Sequence, residues 1–499
     1  MKGKYKFTSV LVALGCFTLL TKTYAVAPPP DGCYSNYTTA EGCKALQSLT
    51  SGVANTGIGW YSLFANSNGS YNTAVGAGAL DLNTADSNTA VGVAALLLNT
   101  TGTNNTALGT AALEFNDGGE GNTATGAFAL YSNTGGQFNT ANGEFALYFN
   151  TTGERNTAIG DSALYQNTEG NRNTAIGNPT LLNNTTGSNN TAVGASALFS
   201  NNGNDNTAIG ADALADNNLG FENTAVGRNA LSSNIDGRQN TALGAKVLQS
   251  SVTGEFNTAV GYGALVDNVS GGYNNALGYS ALHQNTTGSD NTAIGEFALF
   301  ANTSGGENTA LGENAGENQT TGSSNVYIGA GMAGIAGESN TCYIASIFNQ
   351  TSPGGVPVLI NANNKLGTIV SSKRFKDGIQ PMNDASQILY SLKPITFRYK
   401  KEIDPAGRSQ FGLMAEDVEQ VNPDLIVRDK EGKAYSVRYE QVNAMLLNEF
   451  LKEHKKVQEL QSRMAQQERK IECLVAGLQN VSVQVEMSRP APEVVANNR

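Results

Sequence analysis

The chain has few of the residues from which metal sites are built. Its 499 residues include only two histidines, His283 and His454, which lie far apart, and five cysteines. No pair of these residues has the spacing typical of a zinc site. We therefore expect no bound metal and no cofactor.

Residues 1–370 also have few basic side chains. They hold 11 Lys and Arg against 24 Asp and Glu, whereas residues 371–499 hold 20 against 18. A surface that binds nucleic acid needs clustered positive charge, so the acidic first region argues against a nucleic-acid partner. The change of composition at residue 371 indicates two regions.

Long apolar runs are missing except near the start. The run from Thr8 to Leu20 follows three lysines and is too short to span a bilayer. Small residues stand at −3 and −1 of a possible cut before Val26, so residues 1–25 are predicted to be a signal peptide. We expect a secreted, extracellular or cell-surface protein with no integral membrane segment after signal removal.

Signal removal would leave four cysteines. Cys33 and Cys43 bracket a short polar loop. In an oxidising compartment they are candidates for a disulfide, and the alternative is two free buried thiols.

One phrase, Asn-Thr-Ala-apolar-Gly, recurs through two thirds of the chain with a spacing of 17 residues, which falls to 16 twice and to 15 at the end. The fifth position is Gly in the first 17 of 18 copies, and the ninth is Leu in the first 15. Two copies, with Thr125 and Asn142, lack the apolar fourth residue. The leading Asn occupies positions 55, 72, 88, 105, 122, 139, 156, 173, 190, 206, 223, 240, 257, 274, 291, 308, 325 and 340.

A unit of this length is too short for a helical hairpin and fits one coil of a parallel β-solenoid. We expect the fourth and ninth positions to stack inside the coil, with Asn and Thr at its corners. At the usual strand separation, 18 coils form a rod of roughly 80–90 Å. Its ends need caps, for which residues 26–51 and 346–370 are candidates.

Residues 55–345 resemble the head repeats of trimeric autotransporter adhesins. The resemblance implies a β-roll with three chains side by side, in which the repeated residues are structural and variable surface positions contact receptors. The C-terminal outer-membrane strands of that family are lacking here. The resemblance therefore assigns no binding residues, and it leaves a host-surface or carbohydrate receptor as a possible partner.

The C-terminal region combines short motifs with a long predicted helix. From about residue 441, apolar side chains recur every seven residues, which predicts a coiled coil, although core packing gives the same stripe. The motifs are Ser371-Ser372-Lys373-Arg374-Phe375-Lys376, Leu392-Lys393-Pro394-Ile395-Thr396-Phe397-Arg398-Tyr399-Lys400 and Gly412-Leu413-Met414-Ala415-Glu416-Asp417-Val418-Glu419.

In this order the motifs resemble the intramolecular chaperone domain of phage tail spikes and endosialidases, a self-cleaving Ser–Lys peptidase family. The resemblance implies that the domain forms trimers, assists folding of the upstream fibre and then cuts between Val370 and Ser371. It also implies Ser371 as the nucleophile and Lys376 as its base. Ser372 stands where many members carry Asp, and its spacing of four to Lys376 makes it the weaker nucleophile candidate.

The predicted fold class is mostly β, a parallel β-solenoid followed by a small α+β chaperone domain that ends in a coiled-coil helix, as a homotrimer. The expected function is an adhesive fibre with one autoproteolytic activity. The alternatives are a carbohydrate-active tail-spike-like fibre, for which no pair of carboxylates stands out, and an ice- or surface-binding solenoid whose C-terminal domain is retained for trimerisation. The predicted divisions are a signal peptide at 1–25, an N-terminal cap at 26–51, the solenoid at 52–345, a linker or cap at 346–370, the chaperone domain at 371–480 and a disordered tail at 481–499.

Overall fold

The computed structural model describes residues 35–348, 350 and 352–489. The chain divides into two compact units, with the boundary after Gln350 in the sequence. The predicted signal peptide, the predicted disulfide partner Cys33 and residues 490–499 lie outside the described residues.

The first unit is a parallel β-solenoid, as predicted. Within its described residues, nineteen strands of three residues follow one another, and each pairs in parallel with the next. Equivalent residues are in register, so that Thr157 lies beside Thr174 and Ile159 beside Ile176. The strands, β1 to β19, are Thr39–Glu41, Thr56–Ile58, Thr73–Val75, Thr89–Val91, Thr106–Leu108, Thr123–Thr125, Thr140–Asn142, Thr157–Ile159, Thr174–Ile176, Thr191–Val193, Thr207–Ile209, Thr224–Val226, Thr241–Leu243, Thr258–Val260, Asn275–Leu277, Thr292–Ile294, Thr309–Leu311, Val326–Ile328 and Cys342–Ile344.

The fourth-position residues of the strands lie on the outer face, which corrects the prediction that this position packs inside. In β8 the third residue of the phrase, Ala158, is fully buried, whereas Ile159 is 39% exposed. Side chains alternate between the two faces of a strand, so the second and fourth positions must share one face. The interior therefore takes Ala at the third position, and Ala163 and Leu164 supply the rest of the apolar core of this coil.

Two buried asparagines complete the interior of each typical coil. The backbone nitrogen of Asn173 donates to the side-chain oxygen of Asn156 in the preceding coil at 2.9 Å. In the second half of the coil, Asn167 Nδ2 donates to Asn150 Oδ1 at 2.8 Å and to Gly170 O at 3.0 Å. Because buried polar groups need partners, these two asparagine ladders align successive coils.

The repeated glycines are required by close contact between coils. Gly160 has φ +130°, and a Cβ atom there would lie 2.4 Å from the carbonyl oxygen of Gly177. A second glycine ladder runs through the turn, where a Cβ on Gly170 would lie 2.4 Å from Gly187 O. Each coil thus rests on the backbone of the next at two places.

The solenoid ends differ in two details from the repeat read in the sequence. Strand β1 lies within the segment predicted as an N-terminal cap and pairs with β2, so a coil precedes the first predicted copy. At the other end Thr341, rather than Asn340, takes the first position, because its amide nitrogen donates to Asn325 Oδ1 at 3.0 Å. The final spacing is therefore 16 residues, and Ala345 takes the glycine position.

The second unit contains three antiparallel strand pairs and two α-helices among its described residues. Short 3-10 segments at Lys373–Phe375, Asn383–Ser391 and Pro423–Leu425 connect them. The strands are β20 (Val358–Ile360), β21 (Leu366–Thr368), β22 (Ile395–Phe397), β23 (Gln410–Gly412), β24 (Ile426–Arg428) and β25 (Ala434–Val437), and the helices are α1 (Ala415–Val421) and α2 (Tyr439–Met487).

The core of this unit is small and leaves most of α2 uncovered. Five buried side chains form it: Val418, Leu425, Ile426, Val437 and Val442. Along α2 the seven-residue stripe faces solvent in the single chain, with Ile471 59% and Leu478 69% exposed. The helix continues to Met487, which corrects the prediction of a disordered tail from residue 481, since no glycine or proline interrupts the sequence there.

Candidate functional site

The predicted nucleophile and base are brought together by one short turn. The 3-10 segment Lys373–Phe375 begins after Ser372, whose carbonyl accepts from Phe375 N at 3.1 Å. This turn leads the chain back so that Lys376 Nζ lies 3.4 Å from Ser371 Oγ. This distance is longer than that of an ordinary hydrogen bond.

The bond predicted to be cut is also accessible. Val370 is 50% exposed, and the Ser371 and Lys376 side chains face solvent in the single chain. A serine hydroxyl becomes a nucleophile when a base takes its proton, and a lysine acts as that base when burial or nearby positive charge favours its neutral form. The single chain therefore provides the pair and the accessible peptide bond without the cover that lysine needs.

A polar cluster that the sequence did not reveal joins the 3-10 segment Asn383–Ser391 to α2. The carboxylate of Glu449 accepts from Lys452 Nζ at 2.8 Å, from Tyr390 OH at 3.0 Å and from the buried Ser386 hydroxyl. Asn448 Nδ2 donates to Asn383 O at 2.9 Å. The only sequence signal was the spacing of Asn448, Glu449 and Lys452, which places them on one face of α2.

The hydrogen bonds from Lys452 and Ser386 lower the pKa of the Glu449 carboxyl from its usual 4.5. The same carboxylate raises the pKa of Tyr390, because it accepts the phenolic proton in a hydrogen bond. The polar groups of this cluster hydrogen-bond with one another. The cluster therefore holds the 3-10 segment Asn383–Ser391 against α2.

The outer face of the solenoid is a second candidate site, and the sequence interpretation missed it by placing the fourth position inside. On this face a row of second-position residues, mostly threonine, runs beside a row of fourth-position residues, mostly Val, Ile or Leu. The alternation of Thr, Ala and an apolar residue in most copies was the signal that could have identified it. An exposed row of mainly apolar residues over this length is typical of an interaction surface.

Two other predictions meet the described residues only in part. Cys43 is exposed, and its proposed pairing with Cys33 stays a prediction. Within residues 35–348 and 352–489, no helix combines the length and apolar character that a membrane crossing requires.

The comparisons with known proteins concern the C-terminal unit. Neither the curated proteins nor the solved structures give a significant match. A family model does match residues 371–427, the segment that begins at Ser371 and ends in β24. The family is peptidase S74, described as the chaperone of endosialidase. The predicted resemblance of the C-terminal region to this family is thereby confirmed. As in a tail-spike-like fibre, a β-solenoid precedes a segment that is similar to the chaperone of endosialidase.

Proposed function

We propose that the protein is an exported homotrimeric fibre matured by its own C-terminal domain. Residues up to Val370 would form the mature fibre, and residues 371–499 would assist its folding and trimerisation before being cut off. The observation that carries this proposal is the approach of Lys376 Nζ to Ser371 Oγ at the first residue of the matched segment. No other catalytic activity is proposed.

Two uncovered apolar surfaces support association of the chains. The fourth-position row of the solenoid and the heptad stripe of α2 both face solvent in one chain. Apolar side chains at heptad spacing are stabilised when they pack against other helices, which supports a coiled coil along α2. The number three rests on the resemblance of both regions to trimeric families.

The proposed cleavage balances without any cofactor. Lys376 takes the proton of the Ser371 hydroxyl while Oγ attacks the carbonyl carbon of Val370. The bond between that carbon and the Ser371 nitrogen breaks, the nitrogen accepts a proton from Lys376, and an ester joins the two fragments. Water then hydrolyses this ester to give the carboxylate of Val370 and the free hydroxyl of Ser371.

Trimerisation would supply the cover that the exposed pair lacks. In the assembled domain, neighbouring chains would exclude water from Lys376 and favour its neutral form. Lys373 and Arg374 lie three and two residues before Lys376 in the sequence. Their positive charges would also favour the neutral form of Lys376. The cut would then follow assembly and would report that the fibre has folded.

The test is the intact mass of the purified full chain beside Ser371→Ala and Lys376→Ala variants. We expect the wild type to yield a C-terminal fragment of 129 residues starting at Ser371, and both variants to remain uncut. Ser372→Ala is the matched control and should still be cut. If the assembled wild type stays full length, the peptidase proposal is wrong. The C-terminal domain is then a trimerisation module that remains attached to the fibre.

An adhesive role rests on the variable turns of the solenoid. The buried Asn, Ala, Leu and Gly positions are used by the fold, so a host-surface or carbohydrate receptor would contact the residues that differ between coils. Binding of the cleaved fibre to glycan arrays and to cell surfaces tests this role. Absence of binding in both assays would leave a purely structural fibre.

A second candidate, binding to ice or another ordered surface, is favoured by one observation. The threonine of the second position faces outward on a regular sheet, beside the fourth-position row. This face cannot bind a crystal and bury itself against other chains at once. Thermal hysteresis measured on the native oligomer separates the two uses: activity favours the ordered surface, and a hysteresis-free oligomer favours association.

A further inference from the structure

The nearly identical coils create a problem of alignment between associated chains. In a cyclic assembly around an axis parallel to the solenoid, equivalent residues of all chains lie at one height. A slip by one coil would bring the same kinds of side chain together again, because 16 of the 18 fourth-position residues in β2 to β19 are Val, Ile or Leu. The apolar row alone therefore gives little preference for one register.

Two consecutive coils interrupt this row. Thr125 in β6 and Asn142 in β7 take the fourth position, and both lie on the outer face with Leu108 before them and Ile159 after them. Nothing inside the solenoid requires the exchange, since the buried Ala124 and Ala141 of these strands are the same as in their neighbours. The polar pair changes only what this face presents to a partner.

The face fits a second copy of this chain as its partner. Across β2 to β19 its outward residues carry no charge, so a charged ligand has no complement here. The face, which includes the second- and fourth-position rows, is about 85 Å long and roughly 10 Å wide, from strand spacing and rise. This gives roughly 850 Å² for each copy, close to the ~800 Å² that each partner buries in a standard interface.

We propose that Thr125 and Asn142 set the register in which copies of this chain associate through the solenoid face. In register, the polar side chains of the copies lie at matching heights and can hydrogen-bond with one another. One coil out of register, Asn142 of one chain faces Thr125 or Ile159 of another and loses amide partners. This inference rests on the proposed homotrimer and gives the fibre an alignment device that remains after residues 371–499 are released.

The experiment is coexpression of full-length wild-type chain with a variant whose polar pair is moved by one coil, Thr125→Leu, Asn142→Thr and Ile159→Asn. A short peptide tag after Gly135, a turn glycine with open space around it, distinguishes the masses. Native mass spectrometry counts the mixed oligomers. Random assortment of three chains gives about three-quarters mixed oligomers. We expect the fraction of mixed oligomers to be lower by roughly fivefold or more, because layers that are out of register leave an amide unpaired.

The matched control is Val193→Ile with Val226→Ile, which changes the same row without polarity and should mix with wild type at random. If the moved-pair variant does not assemble alone, the variant Thr125→Val with Asn142→Ile replaces it and should also be depleted from mixed species. Random mixing of the assembling variant overturns the register proposal and leaves the homotrimer intact. A monomeric wild type overturns both.

Discussion

The two units satisfy their side chains in opposite ways. The solenoid buries the asparagines of its two ladders, its third-position alanines and its ninth-position leucines within one chain, and each coil hydrogen-bonds with the coils before and after it. The C-terminal unit has five buried core residues and exposes the apolar stripe of a 49-residue helix. The first unit leaves one apolar outer face uncovered, whereas the second leaves the apolar stripe along most of α2 exposed in the single chain.

The largest expected effect breaks the self-sufficiency of the solenoid. Gly160→Ala adds a Cβ atom 2.4 Å from Gly177 O at a residue with φ +130°. We expect a loss of about 3–5 kcal/mol, because two coils must separate and the backbone is strained. Thermal unfolding followed by circular dichroism measures it.

Gly135→Ala is the control for this substitution, since a Cβ there meets nothing within 4 Å. Its unfolding midpoint should stay within experimental error of the wild type. Equal effects of the two substitutions would contradict the contact between coils.

The next prediction tests the proposed association of chains through the second unit. Leu460→Asp with Leu474→Asp places charges on the exposed heptad stripe of α2. Burying an unpaired carboxylate is costly, so we expect the oligomer to shift to monomer. Light scattering during chromatography gives the mass, and Gln466→Asp, off the stripe, should leave it unchanged.

A smaller effect sharpens the contrast through pH. The pKa of Glu449 is lower in the folded unit than its usual 4.5, so its charged form stabilises the fold above that value. This stabilisation is lost as pH falls through the folded pKa, when the carboxylate is protonated. Helix melting measured between pH 3 and pH 7 should show a midpoint that decreases below about pH 4.5.

Glu449→Gln is the control because it keeps the size of the side chain and removes the titration. Its midpoint should be lower at neutral pH and should vary less with acid. A variant with the same acid response as the wild type would assign the decrease to other carboxylates.

The smallest effect repairs a gap in the solenoid. Ser251 replaces the asparagine of the second ladder, and Asn234 Oδ1 in the preceding coil has no hydrogen-bond partner among the described residues. Ser251→Asn should supply it and raise stability by about 1 kcal/mol. The unfolding midpoint measures this gain, and Thr253→Asn, on an exposed turn, should give none.

The sequence predicted the coil length, the parallel solenoid and the position of the long helix, because these follow from a repeat period and a heptad. It did not predict the coil path. In the coil of Asn156, Ser162, Leu164 and Arg172 have φ of 58°, 53° and 55°, a region that local preference rarely assigns to such residues. Stacking of coils imposes it.

The candidate functional sites were likewise predicted from the sequence only in part. Ser371 and Lys376 could be named from ordered motifs, since only a short turn separates them. The Glu449 cluster unites residues about 60 positions apart in sequence, as Ser386 and Glu449 show, and such a contact follows only from tertiary packing. The outer row was misplaced because an apolar residue was assumed to be internal, although alternation along the strand assigns it outward.

The two glycine ladders restrict how such a gene can change. Because each coil rests on the next at Gly160-type and Gly170-type positions, a partial coil would break every contact beyond it, whereas one whole coil can be gained or lost. The coils of 16 residues that begin at Asn72 and Asn190 are each one residue shorter in the turn that follows the second asparagine ladder. In-frame duplication of about 51 nucleotides would therefore lengthen the fibre by about 4.8 Å, so that its reach evolves in fixed steps.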